Sequence, residues 1–397
     1  MKGPNVRRLK DFVCQKLGLQ TYLRRPGDGR AQPQIAPRDL LWSLLAGQVL
    51  RIWSFHGVEA LVRCASRRAL GMVRQFGDDT LAYFTQRLDP APTRHALISI
   101  LRRAKRNKAF ETSRLIGLAL DGTGAGRSTE KGCALCHPLY NERHEVLGHL
   151  HHFSMISVVG AGLSLPFDVE PYRACESELR ASERLLPRAV GGLGERFADY
   201  VVGDGLYANA PFCHLAGDHG LRVVTRLKDN HPELLREARL RFEATPAALS
   251  FEDRGDHVEV WDAEGFPPWE NLRWKAVRIF RYRQRKPDGS LVEAYWLTDF
   301  TAVEAGPRSL FKIAKSRWEI ENQGFNDGKN RHGMEHIAHH HENSLLIGWL
   351  IAVLALTVER LYRLRYLHRG THTPLSAADL VLRLWLSLNA VAANNTS

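Results

Sequence analysis

Residues 114–128 read RLIGLALDGTGAGRS, an apolar run of strand length that reaches Asp121 and then breaks into glycines. Such a run, bounded by turn residues, is what a strand buried on both faces requires, and it puts the Asp121 carboxylate at the strand's C-terminal tip. The pattern returns in DYVVGDGLYANAPFCHLAGDHG (199–220), where a short apolar strand reaches Asp204 and a glycine turn leads into a helix. Between them, EVLGHLHHFSMISVVG (145–160) and LPFDVEPY (165–172) read as strands, and ACESELRASERLLPRAVGGLG (174–194) as a helix ended by Gly191, Gly192 and Gly194. LRVVTRLK (221–228) is a further buried strand. DHVEVWD, WKAVRIFRYRQRK and LVEAYWLTDF, the last two joined by PDGS, predict an antiparallel β insertion between 250 and 300. The fold class expected is α/β.

Composition narrows the class. The chain has 397 residues, 44% hydrophobic and 25% charged, which is globular rather than disordered. MKGPNVRRLKDFVCQKLG at the start is basic without the apolar stretch of a signal peptide. LLIGWLIAVLAL (345–356) is shorter than the roughly 20 residues of a membrane span, which predicts a buried helix. Six scattered cysteines do not form a disulfide framework. The expectation is a soluble protein of the reducing cytoplasm with no membrane partner.

The net charge of +12 is uneven: residues 1–114 carry 22 Lys+Arg against 8 Asp+Glu, and the other 283 residues carry 33 against 35. The basic residues lie among apolar ones at helical spacing, as in CASRRALGMVR (64–74) and HALISILRRAKR. This predicts an all-helical, basic, phosphate-binding region over 1–114, with Arg102, Arg103 and Lys105 as candidate DNA contacts.

The second informative stretch is SRWEIENQGFNDGKN (316–330), whose apolar stripe is too narrow for a helix that merely covers a core. At about 100° per residue, Arg317, Glu321 and Lys329 fall within a third of the circumference, whereas Glu319 points about 200° away. Glu321 is therefore the candidate acidic residue. Gly324 and Gly328 predict close approach of another backbone or of DNA. Two aspartates on strands and a later helical glutamate can hold a pair of hard divalent cations and leave room for phosphate oxygens.

LALDGTG, VVGDGLYANAPF and RWEIENQGFNDGKN, followed by GMEHIAHHHEN and an apolar helix, resemble the DDE transposases of bacterial insertion sequences, in the branch with a Tyr-Arg-Glu-Lys signature. The resemblance covers roughly residues 115–365. It implies a ribonuclease H-like core in which Asp121, Asp204 and Glu321 are catalytic and bind two Mg²⁺ ions, with Mn²⁺ as a substitute. It also implies that Arg317 and Lys329 contact the transposon end. The signature's tyrosine is replaced by Ala314, and Lys329 stands one residue further from Glu321 than the family spacing.

The organisation expected is a helical region at 1–114, a catalytic core at 115–225 and 301–365, a β-rich insertion at 226–300 and a helical tail at 366–397. The implied activity is cleavage of transposon ends and joining of their 3′-hydroxyls to target double-stranded DNA, by a homodimer in a bacterial, nucleoid-associated setting. A transposase-derived DNA-binding protein and a metal-dependent nuclease on the same core are the alternatives.

In this branch a tryptophan of the insertion stabilises a flipped base. Trp296 is the candidate chosen, beside Trp261, Trp269 and Trp274, whose other role is core packing. His336 is the histidine of HGMEHIAHHHEN selected as a DNA contact. Cys133 and Cys136 form a Cys-x-x-Cys near His137, His144, His149, His151 and His152. No second cysteine pair or finger spacing accompanies them, so zinc is the less favoured reading. Glu178 suits a further acidic contact or a solvated helix face equally.

Overall fold

The computed structural model describes residues 4–72, 74–364 and 376–393 of the chain. Val73 of the basic run and residues 366–375 and 394–397 of the expected tail lie outside them.

Before the first strand come helices α1 (Val6–Asp11), α2 (Gln20–Arg24), α3 (Pro37–Val49), α4 (Phe55–Arg63), α5 (Asp78–Arg87) and α6 (Pro90–Arg106). The boundaries of α6 follow from its sequence. The Asp89 carboxylate accepts from the Ala91 amide at 2.9 Å and Pro90 opens the first turn, while Arg103, Lys105 and Arg106 fill the last turn, where the helix dipole favours cations.

One mixed sheet follows. Its strands are β1 (Gly117–Ser128), β2 (His137–Tyr140), β3 (Val146–Val159), β4 (Leu165–Pro171), β5 (Tyr200–Gly203), β6 (Arg222–Leu227), β7 (Leu249–Asp253), β8 (Asp256–Phe266), β9 (Val277–Arg285) and β10 (Leu291–Thr298). The order is β2-β3-β1-β5-β6-β10-β9-β8-β7, with β4 also paired to β3. Strands β1, β5 and β6 are parallel, and every other pairing is antiparallel. The β-rich segment extends the central sheet, because β10 pairs with β6 over Thr298–Val224 to Tyr295–Leu227.

Strand β1 does not end at Asp121. It continues to Ser128 against β3, while its parallel pairing with β5 covers only Gly117 to Ala119. Asp121 therefore sits in mid-strand, just beyond the end of β5. The glycines after it make room instead of a turn: a Cβ on Gly122 would collide with the side chains of Tyr172 and Glu178.

Helices α7 (Glu178–Leu193), α8 (Ala210–Asp218), α9 (Pro232–Glu243), α10 (Pro307–Glu319), α11 (Asp327–His332), α12 (Glu342–Tyr362) and α13 (Ala377–Ala393) complete the chain. Between α10 and α11 the helix widens to a π turn over Ile320–Asn326. It stops at Gly333, a left-handed residue (φ +60°) whose missing Cβ leaves space for Trp53.

The 21-residue α12 is apolar and long enough to cross a membrane, but 89% of its most apolar window is buried within the protein. The N-terminal helices α3, α5 and α6 pack on it, and its other side packs on β4, where Thr357 donates to the Pro166 carbonyl at 2.8 Å. Ion pairs fasten this arrangement. Arg94 of α6 and Arg188 of α7 both hold the buried Asp168 of β4 at 2.8 Å, and Arg51 reaches the buried Glu359 of α12 at 2.7 Å.

Candidate active site

Four carboxylates gather at the end of the parallel strands, where open α/β sheets place their ligands. Asp121 comes from β1. Asp204 follows β5 and caps the next turn, its Oδ1 accepting from the Leu206 amide at 2.8 Å. Glu178 opens α7, and Glu321 lies in the π turn.

Asp121 is the centre of the group. Burial first, and then the charge of Glu178, push its carboxyl up to about 7, with Glu321 adding and Arg317 opposing. Glu178 is raised as well, by burial, against a hydrogen bond from Tyr207, and is raised further by the charge of Asp204. The Tyr207 hydroxyl donates to Glu178 Oε1 at 2.7 Å.

On the far side, the Arg317 guanidinium lies 2.5 Å from Glu321 Oε1 and 3.6 Å from Asp121 Oδ2. It is 7% exposed and stacks over Trp318 at 4.6 Å. Lys228 approaches Asp204 at 3.9 Å. The order across the site is thus Asp204, Glu178, Asp121, Arg317 and Glu321.

This donor set is all oxygen and all anionic, which suits a hard divalent cation. Burial more than its neighbours' charge lifts Asp121 to about 7, and a dication would offset both the lost hydration and the repulsion from Glu178 and Glu321. The donor chemistry is that of a site for Mg²⁺ or Mn²⁺, with Asp121, Asp204 and Glu321 as the expected ligands and Glu178 beside them; Arg317 lies between Asp121 and Glu321 and would have to yield to an ion bridging those two.

The π turn bears on Lys329. A π turn bonds i to i+5 and so accommodates one extra residue within a helix. Here the π turn takes up most of the stretch between Glu321 and Lys329. Lys329 Nζ donates to the Gly124 carbonyl of β1 at 2.8 Å and pairs with Glu335 at 3.0 Å. Glu319 faces away and accepts from the Gly160 amide at 3.1 Å. His336 is exposed.

Other expectations are corrected. Trp296 is fully buried, stacked on Phe280 and edge-on to Trp318, so it cannot receive a flipped base. Trp261 is buried too, under Arg281, whereas Trp269 and Trp274 are half-exposed. The space at Gly324 and Gly328 is taken by Met155 and Met334 rather than by backbone or DNA.

Arg102, Arg103 and Lys105 donate to carbonyls: Arg102 to Leu193 at 3.1 Å, Arg103 to Lys16 at 2.8 Å, and Lys105 to Arg196 and Phe197 at 2.8 and 2.6 Å. They dock α6 on its neighbours, and the basic run does not by itself mark a DNA surface.

Glu178 is the residue that the sequence left undecided. The signal available was its position at a helix start shortly after Tyr172; Tyr207, which bonds it, lies 29 residues further on.

No family model matches the chain, and no curated protein does. Among solved structures, a cryo-EM structure of the piggyBac transposase synaptic complex with hairpin DNA matches over 99% of this chain and 79% of that one. The TM-score is 0.46 and the sequence identity 11%, a likeness too distant to specify the fold or the function.

Proposed function

We propose that this protein is a DDE-type DNA transposase that cuts transposon ends and joins the freed 3′-hydroxyls to target DNA. The observation that carries the reading is the cluster of Asp121 on β1, Glu178 on α7, Asp204 after β5 and Glu321 in the α10–α11 helix. The strand order β4-β3-β1-β5-β6, three antiparallel strands followed by two parallel ones, supports a ribonuclease H-like core around it.

Bound at these carboxylates, divalent cations supply activation of the attacking oxygen and stabilisation of the leaving one. The chain's own residues do the positioning. Asp121 is fixed by the long β1–β3 ladder, Asp204 by its cap on the turn after β5, and Glu321 by its bond to Arg317. Glu178 is held by Tyr207 and orders the site between Asp121 and Asp204. Lys329, held on β1 at the Gly124 carbonyl, and the exposed His336 would meet the phosphates of the DNA end. A homodimer would pair two such ends.

The test is to incubate the purified protein with DNA carrying the sequences that flank its own gene, with Mg²⁺ or Mn²⁺, beside an Asp204→Asn variant. Metal-dependent breaks at two inverted repeats, absent in the variant, are expected, followed by joining of a supplied 3′-hydroxyl end. Cutting without joining would identify a nuclease on this core, and end binding without cutting would identify a DNA-binding derivative.

A further inference from the structure

We infer that Cys133, Cys136, His151 and His340 form a structural zinc site that ties the β1–β2 connection to the segment following the candidate catalytic helix. The four side chains offer one ligand atom each, all within 4.8 Å of one another. With Zn–S near 2.3 Å and Zn–N near 2.05 Å, a tetrahedral ion needs S···S of about 3.8 Å and S···N of about 3.5 Å. Here the Sγ atoms are 3.9 Å apart. His151 Nε2 lies 3.4 and 3.5 Å from them, and His340 Nε2 lies 3.2 Å from Cys136 Sγ.

The surroundings are built for ligation. His151 is fully buried, and its Nδ1 lies 2.9 Å from the Gly126 carbonyl. A carbonyl only accepts, so Nδ1 carries the proton and Nε2 keeps its lone pair for the metal. Gly126 reaches this position through a left-handed backbone (φ +72°), and the absent side chain of Gly132 leaves the space in which the His340 ring sits. Two thiolates and two neutral imidazoles around Zn²⁺ make a neutral unit that can be buried without a counter-ion.

The ligands come from three places: the loop after β1, strand β3, and the connection between α11 and α12. Cys136 and His340 are 204 residues apart in sequence. Strand β1 carries Asp121, and the helix before the connection carries Glu321 and Lys329. The ion would therefore pin together the two chain segments that bring these groups into register.

The site is tested without DNA, so its outcome is independent of the proposed activity. Protein purified without chelator should retain about one zinc per chain through dialysis. Replacing the zinc with Co²⁺ should give the visible bands of a tetrahedral ion with thiolate ligands. Cys133→Ser and His340→Ala should lose the metal, while Cys64→Ser and Cys175→Ser, at exposed cysteines, should keep it. If the variants misfold, the wild type suffices: modifying its thiols with an organomercurial should release the zinc, and hydrogen exchange at 129–137 and 333–341 should accelerate as it leaves. A wild-type chain that neither contains zinc nor takes it up stoichiometrically would overturn the assignment. A Cys133–Cys136 disulfide in metal-free protein, or an octahedral Co²⁺ spectrum, would also do so.

Discussion

The Arg360 guanidinium of α12 donates to the main-chain carbonyl of Gln323, inside the π turn that carries Glu321. It also donates to the Ser164 carbonyl and pairs with Asp327 at 2.7 Å. Widening a helix leaves carbonyls poorly matched to amides, and a buried carbonyl without a donor is costly. Arg360 supplies that donor from outside the helix. The position of Glu321 is thus set partly by a residue 39 places further along the chain.

Replacing Arg360 with methionine should therefore cost more than an ordinary surface charge. The substitution leaves the Gln323 carbonyl and part of the Asp327 charge unpaired in a buried setting, which predicts a loss of about 3 kcal/mol. Denaturant unfolding followed by tryptophan fluorescence measures it. A change within about 0.5 kcal/mol would show that the π turn holds without this arginine.

Asp121 predicts an unusual pH dependence. Its carboxyl titrates near 7 in the folded protein against an ordinary value of 3.8. The folded chain thus keeps a proton between about pH 4 and pH 7 that the unfolded chain has released, and stability falls as pH rises through that window. Asp121→Asn removes the cost of burying that charge beside Glu178 and should stabilise the metal-free protein at pH 8 by about 2 kcal/mol, with the gain vanishing below about pH 4. It should also abolish DNA cleavage, by about 10³-fold or more. Mg²⁺ should raise the wild-type melting temperature at pH 8 and much less at about pH 6, where protons compete for the same carboxylate. A variant less stable than the wild type at pH 8, or an Mg²⁺ shift independent of pH, would contradict this account.

Glu178→Gln separates positioning from binding. The amide keeps the shape and can still accept from the Tyr207 hydroxyl, but it removes the charge between Asp121 and Asp204. Cleavage should fall by about 10- to 100-fold, with affinity for end DNA unchanged in a gel-shift titration. Unchanged cleavage would return Glu178 to a structural role.

The residues legible in the sequence were those whose setting is local. Asp204 follows a short apolar strand, and Asp121 ends the apolar half of one, although that strand runs on to Ser128 instead of turning. Glu321 was separated from Glu319 by helix geometry alone. What was not legible depends on contacts across long stretches of chain. The π turn relies on Arg360, and Glu178 acquires its setting only when β1, β5 and α7 meet. His151 and His340 reach the cysteine pair from 15 and 204 residues beyond Cys136. Trp296 was misread because its face of β10 is covered by Trp318 of α10 and stacked against Phe280 of β9, contacts that sequence alone does not show. The carbonyl partners of Arg102, Arg103 and Lys105 were not legible because they lie on other segments, at Leu193, Lys16, Arg196 and Phe197.

That last point predicts an asymmetry between stability and DNA binding. Lys105 donates to the Arg196 and Phe197 carbonyls and lies over the Phe197 ring at 4.9 Å, so its charge is engaged within the protein. Lys105→Ala should lower stability by about 1–2 kcal/mol, through the lost charged hydrogen bonds and stem packing. It should leave the salt dependence of DNA binding unchanged. Lys329 is also engaged, by the Gly124 carbonyl and Glu335, but on the proposed function it exchanges Glu335 for a phosphate, so Lys329→Ala should weaken binding to the transposon end and reduce the slope of log K against log[salt] by about 1. Fluorescence anisotropy at four or five salt concentrations reads both slopes. A reduced slope for Lys105→Ala would show that this lysine leaves its carbonyls for the phosphate backbone when DNA binds.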